Sequence, residues 1–158
     1  MIELLTLNFD VACGVEHAFM VWTERAAAWW PAAHTVSHER GVHIVFEPRV
    51  GGRIFERTST QVEHDWGHVT AWEPPHRLAY QWHIATDPSN ATAVEIRFTA
   101  LGPGATRVEV HHGGWDRLGP EQGREWRTMN RAGWDGVVPD YMAACASPSS
   151  HNQSIKET

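Results

Sequence analysis

The 158-residue chain lacks the long apolar segments that mark membrane and exported proteins. No stretch approaches the roughly 18 consecutive apolar residues of a membrane helix. The N-terminus has acids at Glu3 and Asp10 and no basic residue ahead of an apolar run, unlike a secretory signal. We therefore expect no membrane span and place the protein in the cytoplasm.

Basic residues are also scarce. Thirteen Lys and Arg stand against nineteen Asp and Glu, which gives a net charge of −6, and the basic residues form no cluster. A protein that binds a phosphate backbone needs such a cluster. We therefore expect no nucleic-acid partner.

The chain has few residues in patterns that carry metal or cofactor chemistry. Its two cysteines, Cys13 and Cys145, fit no metal or redox spacing and are predicted to be reduced core thiols. The eleven histidines form no HxH or HExxH pattern, and the adjacent His111 and His112 would point to opposite faces of a strand. Phosphate loops, dinucleotide fingerprints and nucleophile elbows are missing as well. We expect no metal and no cofactor.

The pattern of secondary structure is clear. Residues 2–13 predict a first strand, and residues 15–23 and 24–30 predict two short helices, the second closed by Pro31. From Gly41 to about His112, alternating residues and Gly or Pro turns predict a meander of strands. Two sets of residues alternate in the last two strands. The inward set is Val94, Ile96, Phe98, Val108, Val110 and His112; the outward set is Glu95, Arg97, Arg107, Glu109 and His111.

A long helix follows, with Pro120 in its first turn. Its apolar stripe is predicted to contain Trp126, Met129, Asn130, Gly133, Trp134, Val137, Val138, Tyr141, Met142 and Cys145. Gly133, Gly136 and Pro139 predict a kink near residues 135–139. The expected fold is α+β, a curved antiparallel sheet of about six to seven strands wrapped round this helix, with the two short helices between the first two strands. We expect residues 1–146 to form one domain and the polar segment 147–158 to be disordered.

Five stretches carry a resemblance to a known family: AWWP at 28–31, FEPRVGGRIFER at 46–57, GHVTAWEPPHRLAYQW at 67–82, GATRVEVHHGGW at 104–115 and GWDGVVPDYMA at 133–143. In this order and spacing, the chain resembles the branch of the START/Bet v 1-like helix-grip superfamily (SRPBCC) named for the activator of the heat-shock chaperone ATPase. The resemblance covers about residues 5–145.

The resemblance implies a helix-grip fold with a ligand cavity and implies less about chemistry. Relatives with this fold include lipid carriers, hormone receptors, polyketide aromatase/cyclases and the hydrophobic-ligand domains of oxygenases. The chaperone role of the founding activator belongs to a longer protein with a further domain, and we do not transfer it. Pro139 departs from the unbroken helix that is usual in relatives.

The nine tryptophans indicate the kind of ligand. Large flat side chains with a polar group suit aromatic or polycyclic molecules, because they offer stacking area together with a hydrogen bond. We expect a hydrophobic and aromatic small molecule between sheet and helix. Its predicted wall consists of Trp30, Phe46, Trp72, Tyr80, Trp82, Phe98, His112, Trp134, Val138 and Tyr141.

Two alternatives stay open. The first is an enzyme of the cyclase or hydrolase kind, in which His112 and Glu56 would form an acid–base pair if they meet. Glu56 would face the same way as Ile54 if that strand is regular. The second is a module that binds a protein partner, such as a chaperone, through an exposed apolar segment around Trp29 and Trp30. A homodimer is also open.

Overall fold

The computed structural model describes residues 1–147, so the tail expected to be disordered lies outside the described residues except for Ser147. The elements follow the predicted order. They are β1 (Leu5–Val11), α1 (Val15–Thr23), α2 (Ala26–Trp29), β2 (His43–Phe46), β3 (Arg53–Arg57), β4 (Glu63–Glu73), β5 (Arg77–Trp82), β6 (Thr92–Gly102), β7 (Ala105–Gly113) and α3 (Pro120–Ala146), with short 3₁₀ turns at Ala32–His34, Pro88–Asn90 and Trp115–Leu118.

The strands form one antiparallel sheet in the order β1-β7-β6-β5-β4-β3-β2. The sequence neighbours β2 to β7 pair through hairpins, and β1 closes the other side by pairing with β7, where Leu5 lies opposite His112. The predicted α+β helix-grip architecture is therefore confirmed, with seven strands and both short helices between β1 and β2.

The alternation in β6 and β7 separates the two faces of the sheet as predicted. Val94, Ile96, Val108 and Val110 are buried together with His112. The outward side chains form ion pairs instead, in which Arg77, Arg97 and His111 approach Glu95 and Arg107 approaches Asp10. These surface pairs each contribute little to stability, but they keep the outer face in water and leave the inner face to the helices.

The helix α3 lies against the apolar face of the sheet. Trp134, Val137, Tyr141 and Cys145 are its large buried residues, whereas Met129 and Met142, which the periodicity places in the stripe, are exposed. The helix continues through Pro139, which lies on the exposed side. The stripe is narrower than predicted because the concave sheet and α1 cover only one side of the helix.

The two cysteines meet where the carboxyl end of α3 approaches the start of α1. Cys13 and Cys145 are both buried and free, and their side chains interact with each other. Burial raises the pKa of the Cys145 thiol to about 12, so that it stays protonated at neutral pH. The two thiols behave as reduced core residues, in line with the sequence-based expectation.

No helix within residues 1–147 is long and apolar enough to cross a membrane.

Candidate functional site

A small, partly open cavity lies between the sheet and α3, where the fold predicts one. Its volume is about 70 Å³, and it is lined by Trp30, His34, Trp82, Ile84, Asn130, Gly133, Trp134 and Val137. Three indoles thus surround a space whose floor is the helix surface at Gly133. A Cβ added at Gly133 would meet nothing within 4 Å, so this glycine leaves room that any other residue would occupy.

The mouth of the cavity is formed by the segment that follows α2. The Trp30 indole donates its N–H to the backbone carbonyl of His34 at 3.0 Å, which closes the segment on itself. The His34 ring packs against α3 at Gly136, where an added Cβ would clash with Nε2. Trp29 and Trp30 are both largely buried, with 7% and 9% of their surface exposed. The two indoles on which the partner-module alternative depends are therefore not exposed.

Glu56 holds this segment against the sheet. Its carboxylate is fully buried and accepts four hydrogen bonds, from the backbone N–H groups of Val36 and Ser37, the Ser37 hydroxyl and the Trp66 indole. Burial alone would raise the pKa of this carboxyl, but the donors, led by the Ser37 hydroxyl, outweigh burial and lower it. Glu56 is thus a charged anchor whose four bonds leave it poorly suited to take or give a proton.

The anchor also supports the cavity wall through Trp66. The Trp66 ring contacts Trp30 with centroids 5.1 Å apart and Trp82 with centroids 5.5 Å apart. Edge-to-face and tilted contacts of this kind fix ring orientation as well as adding burial. The Glu56 carboxylate therefore positions two of the three cavity indoles indirectly.

His112 supports the third indole. The Trp134 N–H donates to His112 Nδ1 at 3.0 Å, so Nδ1 carries no proton and Nε2 carries it, bonding to the Thr92 hydroxyl at 2.7 Å. The Trp115 ring stacks on the imidazole with centroids 4.4 Å apart. Burial lowers the pKa of His112 to about 3, and no acidic side chain is among these neighbours. The imidazole is neutral, with both nitrogens occupied.

This burial makes stability depend on pH through His112. The pKa is depressed in the folded state relative to an ordinary value of 6.5, so the stabilisation is present above pH 6.5 and is lost as pH falls toward 3. We expect the free energy of unfolding to fall by about 2 kcal/mol from this residue between pH 7 and pH 5. Urea unfolding of the wild type and of His112→Gln at both pH values measures it.

The control for this experiment is His68→Gln, which changes an exposed histidine. The His112→Gln variant is expected to lose the decrease between pH 7 and pH 5, whereas His68→Gln keeps it. An equal decrease in all three proteins would contradict a neutral His112 in the folded state.

The ten residues of the predicted wall are divided among several places. Trp30, Trp82 and Trp134 line the cavity. Tyr80 and His112 lie directly behind them, in contact with Trp82 and Trp134. Four others belong to the core away from the cavity. Phe46 contacts Tyr80, Phe98 contacts Phe19, Tyr141 contacts Trp22, and Val138 packs against the core. Trp72 contacts Phe19 and lines a separate surface groove with Pro74 and Pro75.

Sequence reasoning omitted five residues that line the cavity, namely His34, Ile84, Asn130, Gly133 and Val137. Asn130, Gly133 and Val137 belong to the predicted stripe of α3, but none of them is aromatic, so the search for an aromatic wall omits them. His34 and Ile84 lie outside the regular helices and strands, where periodicity carries no information.

The proposed acid–base pair is not joined in the structure. Glu56 bonds to Val36, Ser37 and Trp66, while His112 bonds to Thr92 and Trp134. The described residues contain no hydrogen bond or ion pair between the two. They also contain no group of three or more His, Cys, Asp or Glu able to hold a metal ion.

Comparisons with known proteins extend this picture. Residues 12–146 match the family described as activator of Hsp90 ATPase homolog 1-like protein. The chain is similar to the solved structure of the anthrahydroquino-γ-pyrone synthase Txn09, with 35% identity, a TM-score of 0.57, and coverage of 81% of this chain and 87% of that chain.

Two further solved structures share the fold at lower identity. The self-sacrificing resistance protein CalC from Micromonospora echinospora is 24% identical with a TM-score of 0.65, covering 90% of this chain and 93% of that chain. The protein MLL2253 from Mesorhizobium loti is 19% identical with a TM-score of 0.62, covering 89% and 95%. Identities this low indicate the fold alone. No curated protein matches the chain.

Proposed function

Because the chain belongs to the family of activator of Hsp90 ATPase homolog 1-like proteins, we propose that it binds a hydrophobic, planar aromatic small molecule in the cavity between the sheet and α3. The observation that carries the proposal is the cavity lined by Trp30, Trp82 and Trp134 above the bare helix surface at Gly133. Three indoles around one space favour a flat ring system over a flexible chain.

The small volume of the cavity implies that its wall must move when a ligand binds. At about 70 Å³ it is smaller than the roughly 150 Å³ cavity that is known to hold benzene in another protein. A polycyclic ligand must therefore displace part of the wall. The segment at Trp30 and His34 belongs to short elements, since α2 has four residues and the following 3₁₀ turn has three, whereas Trp82 and Trp134 lie on a long strand pairing and a long helix. Binding is proposed to open this mouth and to close it over the ligand.

The solved relative at 35% identity supports the choice of ligand class. The name of that protein, an anthrahydroquino-γ-pyrone synthase, describes a fused aromatic product. We also propose a cytoplasmic location, because the two buried free thiols suit a reducing compartment.

Titration of tryptophan emission tests the proposal. A polycyclic aromatic ketone such as fluorenone is expected to quench emission with saturation, at a concentration at least about tenfold lower than a fatty acid requires, because stacking needs a ring. A response to the fatty acid alone would indicate a lipid site. A flat response to aromatic compounds would contradict the proposal.

A second candidate is catalysis of ring closure on a bound carbonyl compound, favoured by the synthase among the similar structures. His112 and Glu56 are the candidate catalytic residues. His112 bonds to Trp134 and Glu56 bonds to Val36 at the mouth, so a catalytic role for either residue would require these contacts to break. His112→Ala distinguishes the two functions: loss of turnover with retained ligand affinity would favour the enzyme, whereas joint loss would identify His112 as a positioning residue.

A further inference from the structure

The aromatic core contains two buried polar groups without a hydrogen-bond partner. They are the indole N–H of Trp22, on α1, and the hydroxyl of Tyr80, on β5. Trp22 has 0% and Tyr80 has 1% of its surface exposed. No group within residues 1–147 accepts the Trp22 N–H or bonds to the Tyr80 hydroxyl. Such groups are rare in folded proteins, since a buried polar atom without a partner destabilises the fold.

Other polar groups of the same core are satisfied. The Trp29 N–H donates to the Val21 carbonyl at 2.9 Å, and the Tyr141 hydroxyl donates to the Ala18 carbonyl at 2.7 Å. The Trp115 N–H likewise donates to the His112 carbonyl at 3.1 Å. The fold therefore satisfies these two indoles and the other tyrosine, whereas Trp22 and Tyr80 are left without a partner, as is the Nδ1 of His83 beside Trp82.

The two groups lie near each other. Burial raises the pKa of Tyr80, and the nearby Trp22 N–H acts in the opposite direction and lowers it, without outweighing burial. The pair nevertheless does not reach hydrogen-bonding geometry. An oxygen atom that lies between them could accept from both, because a carbonyl oxygen has two lone pairs.

The cavity lies one layer of side chains away from this pair. The Trp134 ring, which lines the cavity, contacts Trp22 with centroids 6.0 Å apart. The Trp82 ring, which lines it as well, contacts Tyr80 with centroids 5.4 Å apart. A ligand that moves these two indoles apart would reach both polar groups from the cavity.

We propose that Trp22 and Tyr80 form an inner polar subsite that binds the carbonyl oxygen of an aromatic ketone or quinone, through two converging hydrogen bonds. The proposal rests on the proposed function of the cavity, and it narrows the ligand from any aromatic compound to one with an oxygen acceptor on its leading edge. The Tyr80 hydroxyl stays protonated and donates, as the indole N–H must.

Equilibrium dialysis with a matched pair of ligands tests the subsite. Fluorenone and fluorene have the same ring skeleton, and only fluorenone has the carbonyl. Wild type is expected to prefer fluorenone, and Tyr80→Phe is expected to lower its affinity for fluorenone about tenfold while changing the affinity for fluorene less than about twofold. Equal affinities for the two ligands in both proteins would overturn the subsite and leave the cavity proposal standing. Failure of both ligands to bind wild type would overturn both proposals.

A second measurement needs no ligand. Because the Tyr80 hydroxyl has no partner in the free protein, Tyr80→Phe is expected to leave the urea midpoint unchanged or to raise it. The matched control is Thr106→Val, which removes a buried hydroxyl that donates to the Cys13 carbonyl at 2.8 Å and is expected to lower the midpoint. If Tyr80→Phe lowers the midpoint as Thr106→Val does, the hydroxyl already has a partner and the subsite is wrong.

Discussion

Gly133→Leu is expected to abolish binding of a polycyclic aromatic ligand, lowering affinity by at least about 100-fold, or about 3 kcal/mol. The reason is steric. Gly133 lines the cavity, and an added Cβ meets nothing within 4 Å, so a leucine side chain would extend into the space that the ligand needs. With a volume of about 70 Å³, the cavity leaves no room for both.

The same substitution is not expected to unfold the protein. Glycine in a helix interior is about 0.5–1 kcal/mol less favourable than alanine, and leucine is a good helix former, so backbone propensity gains from the change. The loss of binding should therefore occur in a protein with an unchanged or higher unfolding midpoint. That combination separates a filled cavity from a damaged fold.

The matched control is Ala132→Leu, which adds the same side chain at the adjacent, exposed position of α3. It is expected to leave ligand affinity unchanged. The ligand affinity of Gly133→Ala should lie between those of wild type and Gly133→Leu, because a methyl group fills only part of the space. Retained affinity in Gly133→Leu would place the ligand elsewhere, for instance in the groove at Trp72.

Glu56→Ala is expected to lower the free energy of unfolding by at least about 3 kcal/mol, because four donors lose a charged acceptor and hydrogen bonds to charged groups are worth about 1.5–3 kcal/mol each. The donors include two backbone N–H groups of the cavity mouth and the Trp66 indole. Fluorescence-detected urea unfolding at pH 7 measures the loss. Glu56→Gln keeps the shape of the side chain but presents an N–H donor where an acceptor is needed. Its free energy of unfolding should fall somewhat less than that of Glu56→Ala.

Glu73→Ala serves as the control, since Glu73 is exposed and its ion pair with Arg77 lies on the surface. A change within about 1 kcal/mol is expected there. The Glu56 contribution also has a pH signature. Its pKa is lower in the folded state than the ordinary 4.5, so the stabilisation is present above pH 4.5 and is lost as pH falls below that value. A loss in Glu56→Ala no larger than in Glu73→Ala would contradict the anchor role.

The sequence predicts the fold better than the site, and particular residues explain the difference. Local spacing is enough to predict the β6–β7 hairpin. The turn at Gly102 joins the two strands, and the alternation around Val94 and Val108 shows which side chains point to the core. The same spacing predicts an inward His112 and, for a regular strand, an inward Glu56, and both side chains are buried. Their hydrogen-bond partners come from other elements, Trp134 from α3 and Val36 from the mouth, and local spacing contains no information about those contacts.

The tryptophans show the same limit. Trp22, Trp66 and Trp115 are among the largest fully buried side chains, and none belonged to the predicted wall. The inward position of Trp66 depends on a bulge, where the β3–β4 register shifts between Ile54 and Phe55. A bulge moves later residues to the opposite face, which a strict two-residue period cannot predict.

The central claim is that an aromatic ligand lies among Trp30, Trp82 and Trp134, and the indole N–H resonances test it most directly. In ¹H–¹⁵N spectra of the ¹⁵N-labelled protein, assigned by single Trp→Phe variants, fluorenone is expected to shift the resonances of these three tryptophans. The resonance of Trp126, which lines a separate surface depression, should not shift. Shifts confined to Trp72 or Trp126, with the three cavity indoles unchanged at saturation, would contradict the claim.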